Sequence, residues 1–193
     1  MAGKTNYTKC KIVETTIIEL QNADYHDLSL RKLAGKVGLT TGAFYKHFKS
    51  RDELFTEVTA VISNRIDQNI EQAIRENSST SAKEKILIFA NQLLQSFADQ
   101  PHLMNFLFFN PIASKALSFS PDEVERFPLL ALITNLIHEL ALSTNLEHDE
   151  NFLFVQFWAF IQGYAVLLDR KITKYEPEVL RCTLNQFLLE SSK

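Results

Sequence analysis

Apolar residues recur along this chain at helical spacing, and no run alternates in the manner of a strand, so the pattern predicts an all-α protein. A first helix is expected from about Thr5 to Asn22, with Ile12, Val13, Thr16, Ile17 and Leu20 on one stripe. Asp24 follows where the chain must turn, a residue type that tolerates left-handed backbone. Ser29 is a good N-cap for a short second helix that turns Leu30, Leu33, Ala34 and Val37 inward, and Gly38 ends it. A third helix begins near Thr40 or Thr41 and covers Ala43 to Phe48. Ser50 with Glu53 makes a capping box for a fourth helix to about Glu76, and Ser81 with Glu84 makes another for a helix to about Asp99. Pro101, Pro111, Pro121 and Pro128 then punctuate shorter pieces. Two long helices finish the chain, about Glu147 to Arg170 and about Glu176 to Glu190. The last carries Leu180, Leu184, Phe187 and Leu188 on one stripe.

Composition sharpens this picture at three points. Five Gly and five Pro in 193 residues leave little material for the tight turns of a sandwich or barrel. Cys10 and Cys182 sit near opposite ends, so neither a disulfide framework nor a cysteine zinc site is expected, and a cytoplasmic protein is. The run from Phe152 to Leu168 is nearly all apolar, but Gln156 and Gln162 interrupt it and it is short for a bilayer span. A helix apolar on every side suits a soluble protein in which one face meets its own core and the other a partner. No membrane association is expected.

The net charge of −3 hides a division. Residues 1–51 hold nine Lys/Arg against four Asp/Glu, whereas residues 52–193 hold eleven against nineteen. A basic head of residues 1–51 suits a polyanion, and an acidic remainder of residues 52–193 does not. Within the head, residues 28–51 read LSLRKLAGKVGLTTGAFYKHFKSR, two short helices about a turn at Gly38, which is a helix-turn-helix pattern. Thr40, Thr41, Gly42 and Ala43 are small, so the start of the second of these helices can approach base edges, and its free N–H groups favour a phosphate. Tyr45, Lys46 and His47 add donors for the sugar-phosphate backbone. Phe44 and Phe48, four apart, hold the helix against its neighbours. Arg51 lies in the first turn of the fourth helix, where the helix dipole disfavours a cation, and a nearby phosphate would account for it.

This stretch resembles the DNA-binding domain of the tetracycline-repressor-type (TetR) transcriptional regulators. The likeness rests on Leu-Ser-Leu-Arg-Lys-Leu-Ala, on Gly-Leu-Thr-Thr-Gly-Ala-Phe-Tyr-Lys-His-Phe and on Ser-Arg-Asp-Glu-Leu-Phe, with Gly42, Tyr45, His47, Phe48 and Leu54 at motif positions. The resemblance implies that Arg31, Thr41 and Ala43 read bases and that Thr40, Tyr45, Lys46, His47 and Arg51 grip phosphates. Asp24 stands where the family usually has Gly, Gly35 sits inside the second helix, and Lys46 is at a variable position. The expected protein is thus a homodimeric regulator of transcription, a repressor, joined through the last two helices, that binds a roughly palindromic stretch of double-stranded DNA.

The remainder offers an effector site rather than chemistry. His138-Glu139-Leu140-Ala141-Leu142 begins like a zinc-protease helix but has Leu where the second ligand belongs, and no glycine-rich phosphate loop or nucleophile motif is present. No enzyme activity, metal or cofactor is expected. Glu147-His148-Asp149-Glu150 reads as acidic residues complementing a helix start. Twelve of the fifteen Phe lie beyond residue 88. They suggest a pocket for a small, mostly apolar effector lined by Phe106, Phe109, Phe157 and Tyr164, with His102, Asn105, Asn110 or Gln156 as polar anchors. Two other readings are an effector-independent DNA-binding protein and a helical partner- or lipid-binding module with a vestigial DNA head.

Overall fold

The computed structural model describes residues 2–77, 81–112, 128–144 and 149–190. Among them every regular element is helical: α1 Ala2–Asn22, a 3-10 turn Tyr25–Asp27, α2 Leu30–Lys36, α3 Thr41–Phe44, α4 Arg51–Glu76, α5 Ala82–Asp99, α6 Pro101–Phe109, α7 Pro128–Thr144, α8 Glu150–Asp169 and α9 Pro177–Glu190. The expected punctuation at Pro121 and the residues Glu147 and His148 lie outside the described residues.

The chain divides into two compact units, Met1–Ser63 with Gln100–Phe127, and Asn64–Asp99 with Pro128–Lys193. The charge-based division of residues 1–51 from residues 52–193 differs from this one, because the first half of α4 and all of α6 cluster with the basic head. Apolar burial accounts for the difference. Leu54, Phe55 and Val58 of α4 are buried, and Phe106 of α6 packs edge-on against Phe55 at 5.0 Å and against Tyr25 at 6.0 Å. Each such ring withdraws enough apolar surface to stabilise the unit by about 1.5–3 kcal/mol. Charge reports only on solvated positions and carries no information about which apolar faces meet.

In the first unit the stripe Ile12, Val13, Thr16, Ile17 and Leu20 of α1 is buried. Thr16 is tolerated there because its hydroxyl donates to the Ile12 carbonyl at 2.8 Å. In the second unit α5 packs against α7, α8 and α9, with Phe89 and Leu93 buried on its inner face. Lys85 on α5 pairs with Glu139 on α7 at 2.7 Å. Tyr164 of α8 accepts from the Glu176 N–H at 2.8 Å and donates to the Lys174 carbonyl at 3.2 Å, fixing the connection into α9. Lys171 in that connection has φ 55°. By length and composition α8 can cross a membrane, yet its Leu153, Phe154, Phe157, Ile161, Tyr164 and Ala165 are buried in this unit, as a core helix requires.

Two local expectations are corrected. Asp24 is extended (φ −62°, ψ 142°), not left-handed, because its carboxylate caps the 3-10 turn by accepting from the His26 N–H at 2.8 Å. The third helix ends at Phe44 instead of covering Ala43 to Phe48. Beyond Phe44 the amide bonds tighten, His47 N–H donating to the Phe44 carbonyl at 2.9 Å, and the chain thereby buries both Phe44 and Phe48 before reaching the Ser50 cap.

Candidate nucleic-acid interface

Ser29 caps α2 through a bond from the Lys32 N–H at 3.4 Å. The helix ends in a Schellman arrangement, with Leu39 N–H on the Ala34 carbonyl at 2.8 Å and Gly38 N–H on the Gly35 carbonyl at 3.1 Å. Gly38 has φ 79°, a conformation that glycine adopts without strain, and this turn sets the direction in which α3 leaves. Thr40 caps α3 by accepting from the Ala43 N–H at 3.2 Å. Lys11 of α1 donates to the Val37 carbonyl at 3.3 Å, tying α1 to the turn.

Phe44 and Phe48 are fully buried, with ring centroids 6.2 Å apart, so the intervening segment is pinned from below. Thr40, Thr41, Gly42, Tyr45 and Lys46 face solvent, while Ala43 and His47 are half-buried. Tyr45 remains exposed although Phe44 beside it is wholly enclosed. Pinning the phenylalanines while leaving the small tip and the tyrosine in water is the arrangement that a duplex surface needs. Arg31 on α2 is exposed as well.

The cations of the head fall into two groups. Lys9 pairs with Glu57 at 3.5 Å and lies over the Phe48 ring at 5.2 Å. Lys36 pairs with Glu19. Arg31, Lys46 and Lys49 are exposed, with no side-chain partner among the described residues. Lys49 is a cation that the motif reading passed over; its position between the exposed turn and the α4 cap is the signal that could have found it.

Arg51 departs most from expectation. Its guanidinium donates to the Tyr25 carbonyl and stacks over the Phe55 ring at 4.8 Å. An acceptor within the chain, 26 residues earlier, thus explains a cation at the start of α4. The capping box itself is formed, Glu53 N–H reaching Ser50 Oγ at 3.0 Å and the Glu53 carboxylate accepting from the Lys49 N–H at 2.8 Å. Among the described residues, two buried donor or acceptor atoms remain without partners at this surface, His47 Nδ1 and Arg51 Nε.

The residues expected to line an effector pocket belong to separate units. In the first, His102 is exposed, Asn105 and Phe109 are half-buried, Phe106 fills the core between Tyr25 and Phe55, and the Asn110 side chain accepts from the Ile112 N–H at 2.8 Å. In the second, Phe157 meets Phe89 at 6.5 Å and, with Gln156, lines a cavity of only about 20 Å³, while Tyr164 is engaged by the connection to α9. A drug-sized ligand needs about 300–1,000 Å³. On the surface of this unit a larger open groove of about 410 Å³ runs between α8 and α9, bordered by Phe160, Gly163, Leu167 and Val179.

Residues 12–58 match the family model of bacterial regulatory proteins of the tetR family. The nucleoid occlusion factor SlmA of Salmonella newport is 24% identical over 177 residues, covering 86% of this chain and 85% of that protein. Among solved structures, FadR of Bacillus subtilis in complex with stearoyl-CoA aligns with a TM-score of 0.64 and 16% identity over 93% of this chain and 96% of its own. RolR in complex with resorcinol aligns with a TM-score of 0.68 and 12% identity over 99% and 90%. The head of the chain, residues 12–58, thus matches the tetR family of bacterial regulatory proteins, and the fold is shared with these solved structures along nearly the whole length of the chain.

Proposed function

We propose that this chain is a cytoplasmic, non-enzymatic, ligand-responsive repressor that binds a roughly palindromic operator as a homodimer. The observation that carries the reading is the segment from Thr40 to His47, pinned by buried Phe44 and Phe48 and presenting small residues, a tyrosine and Lys46 to solvent. On this reading Arg31, Thr41 and Ala43 contact base edges, while Thr40, Gly42, Tyr45, Lys46 and His47 approach the phosphates. Arg51 contributes chiefly by bracing α4 against Tyr25, with its Nε left over for an anion.

The dimer reading is supported by α8 and α9, where Phe152, Val155, Leu167 and Val179 are 39–55% exposed on helices whose opposite faces bury Leu153, Phe157, Leu180 and Leu184. Effector binding would favour one spacing of the two heads over another, and coupling of about 1–3 kcal/mol would change occupancy about 5- to 150-fold. Selection of bound duplexes from a random pool tests the whole reading. Recovery of inverted half-sites on one face of the duplex is expected; recovery of no sequence, with no affinity at low salt, overturns it.

A second reading, DNA binding without an effector, is favoured by the cavity of about 20 Å³ beside Phe157 and by the likeness to a protein named as a nucleoid occlusion factor. The choice is made by measuring whether any small molecule changes affinity for the selected duplex.

A further inference from the structure

The peptide that joins Val37 to Gly38 is held at both of its polar ends. Its N–H, on Gly38, donates to the Gly35 carbonyl at 3.1 Å, and its carbonyl, on Val37, accepts from Lys11 Nζ at 3.3 Å. Val37 is the C-cap of α2, so its carbonyl is among those a helix leaves without an internal donor. Among the described residues no backbone N–H reaches it. Lys11 is itself well anchored, because the next two residues, Ile12 and Val13, are buried and α1 packs against both α2 and α6.

This peptide plane bears on the exit of α3. The chain turns at Gly38, with φ 79°, and two residues later Thr40 caps α3. That φ is a rotation about the bond leaving the nitrogen of the held plane, and glycine, with no Cβ, restricts the rotation less than any other residue. The backbone bonds of the turn all return to α2: Gly38 N–H to Gly35, and Leu39 N–H to the Ala34 carbonyl at 2.8 Å. They fix the shape of the turn. The bond from Lys11 fixes the turn against a second helix. Neighbouring lysines do something different, since Lys9 and Lys36 meet the carboxylates of Glu57 and Glu19 through side chains and leave the backbone alone. A cation beside the last carbonyls of α2 also suits the dipole of that helix.

We infer that Lys11 is a positioning residue for sequence reading: by holding the Val37–Gly38 peptide to α1, it sets the angle at which α3 presents Thr41 and Ala43 to base edges. This rests on the DNA-binding reading above and adds to it a residue from outside the helix-turn-helix. A lysine on a basic head would otherwise count as one more phosphate contact, and the two roles make different demands. A phosphate contact acts on every duplex alike, whereas a positioning bond acts on the difference between the right sequence and a wrong one.

The test titrates the full chain with two labelled duplexes at several salt concentrations. One is the duplex that the wild type recovers from a random pool, and the other has the same composition in scrambled order. Lys11→Met keeps the length of the side chain and removes the donor. It should lower the preference for the selected duplex about fivefold, the worth of one hydrogen bond, while helicity is unchanged and the scrambled duplex is bound nearly as well as before. Lys11→Arg, which keeps a donor of similar reach, should restore most of the preference. Equal weakening on both duplexes, with the salt slope flattened by about 1, makes Lys11 a phosphate contact and overturns the inference. A preference that Lys11→Met leaves unchanged overturns it too, whatever happens to the melting temperature. Failure of the wild type itself to prefer any duplex over its scrambled form sinks the regulatory reading instead.

Discussion

Lys46 and Arg51 are both cations near the exposed turn, but they stand in opposite physical situations. Lys46 is exposed without a side-chain partner among the described residues, so removing it should cost the fold almost nothing and, on the proposed reading, remove one phosphate contact. Lys46→Ala should weaken binding to all duplexes alike and flatten the slope of log affinity against log salt by about 1. Arg51 has a carbonyl and an aromatic face as partners. Arg51→Ala should therefore lower stability by about 1–2 kcal/mol in urea melts before any effect on DNA is considered. An Arg51→Ala protein of unchanged stability with a reduced salt slope would return the residue to the phosphate role its position suggested. A third residue carries a pH signature. Burial, then the charge of Glu71, raises the Asp67 pKa from 3.8 to about 6 against the opposing pull of Arg75. Because the folded value is the higher one, the folded state holds a proton that the unfolded state has lost between about pH 4 and 6. The contribution of Asp67 to stability should accordingly become more favourable as pH falls from 7 toward 4, a component that Asp67→Asn lacks. The variant should be the more stable by about 2–3 kcal/mol at pH 7.5, the advantage vanishing near pH 4. A pH-independent difference between the two proteins would show that the carboxyl is not desolvated.

Elements were legible in the sequence wherever a local signal fixed them. The Ser29 cap, the boxes at Ser50 and Ser81 and the glycine stop at Gly38 are decided within a few residues, and all are formed. The length of α3 was not legible, since Ala43 to Phe48 continues a helical spacing. What shortens it is the need to bury Phe44 and Phe48 together ahead of the Ser50 cap. The same limit applies to the aromatic residues: spacing places Phe106 and Phe157 on inward faces but does not say that they serve different cores. The Arg51 partner lies 26 residues away and has no sequence signature. Glycine positions give a clean test at this scale. Gly38→Ala meets no neighbour within 4 Å, so its expected cost of about 1–2 kcal/mol comes from φ 79° alone. Gly35→Ala in the body of α2 also meets open space and should stabilise by about 0.5–1 kcal/mol. Paired thermal melts should therefore shift in opposite directions. Only Gly38→Ala should weaken duplex binding, because only that turn aims α3.

At the scale of the whole molecule, the unexplained quantity is apolar surface left in water on α8. Phe152 and Val155 are 49% and 55% exposed, and Leu167 near the other end of the helix is 39% exposed, although the opposite face of the same helix is core. The open groove beside Gly163 continues this surface onto Val179 of α9, which is 40% exposed. A soluble monomer gains nothing from a helix that is apolar on both faces, whereas a second copy of the chain would remove this surface from water at about 25 cal/mol per Å². A charge placed on it should then be decisive. Val155→Glu replaces an exposed side chain, so the monomer fold should keep its helicity, but two-fold pairing would bring two carboxylates into a drying interface. Sedimentation of the wild type should give twice the chain mass, and Val155→Glu the mass of one chain. The melting temperature of the wild type should rise with protein concentration, and that of the variant should not. The variant should also lose preference for paired half-sites over a single half-site while keeping salt-dependent affinity for any duplex, since each head retains its contacts. A variant that stays dimeric, or a wild type that sediments as one chain, would leave the exposed face of α8 to a different partner and remove the basis for a palindromic operator.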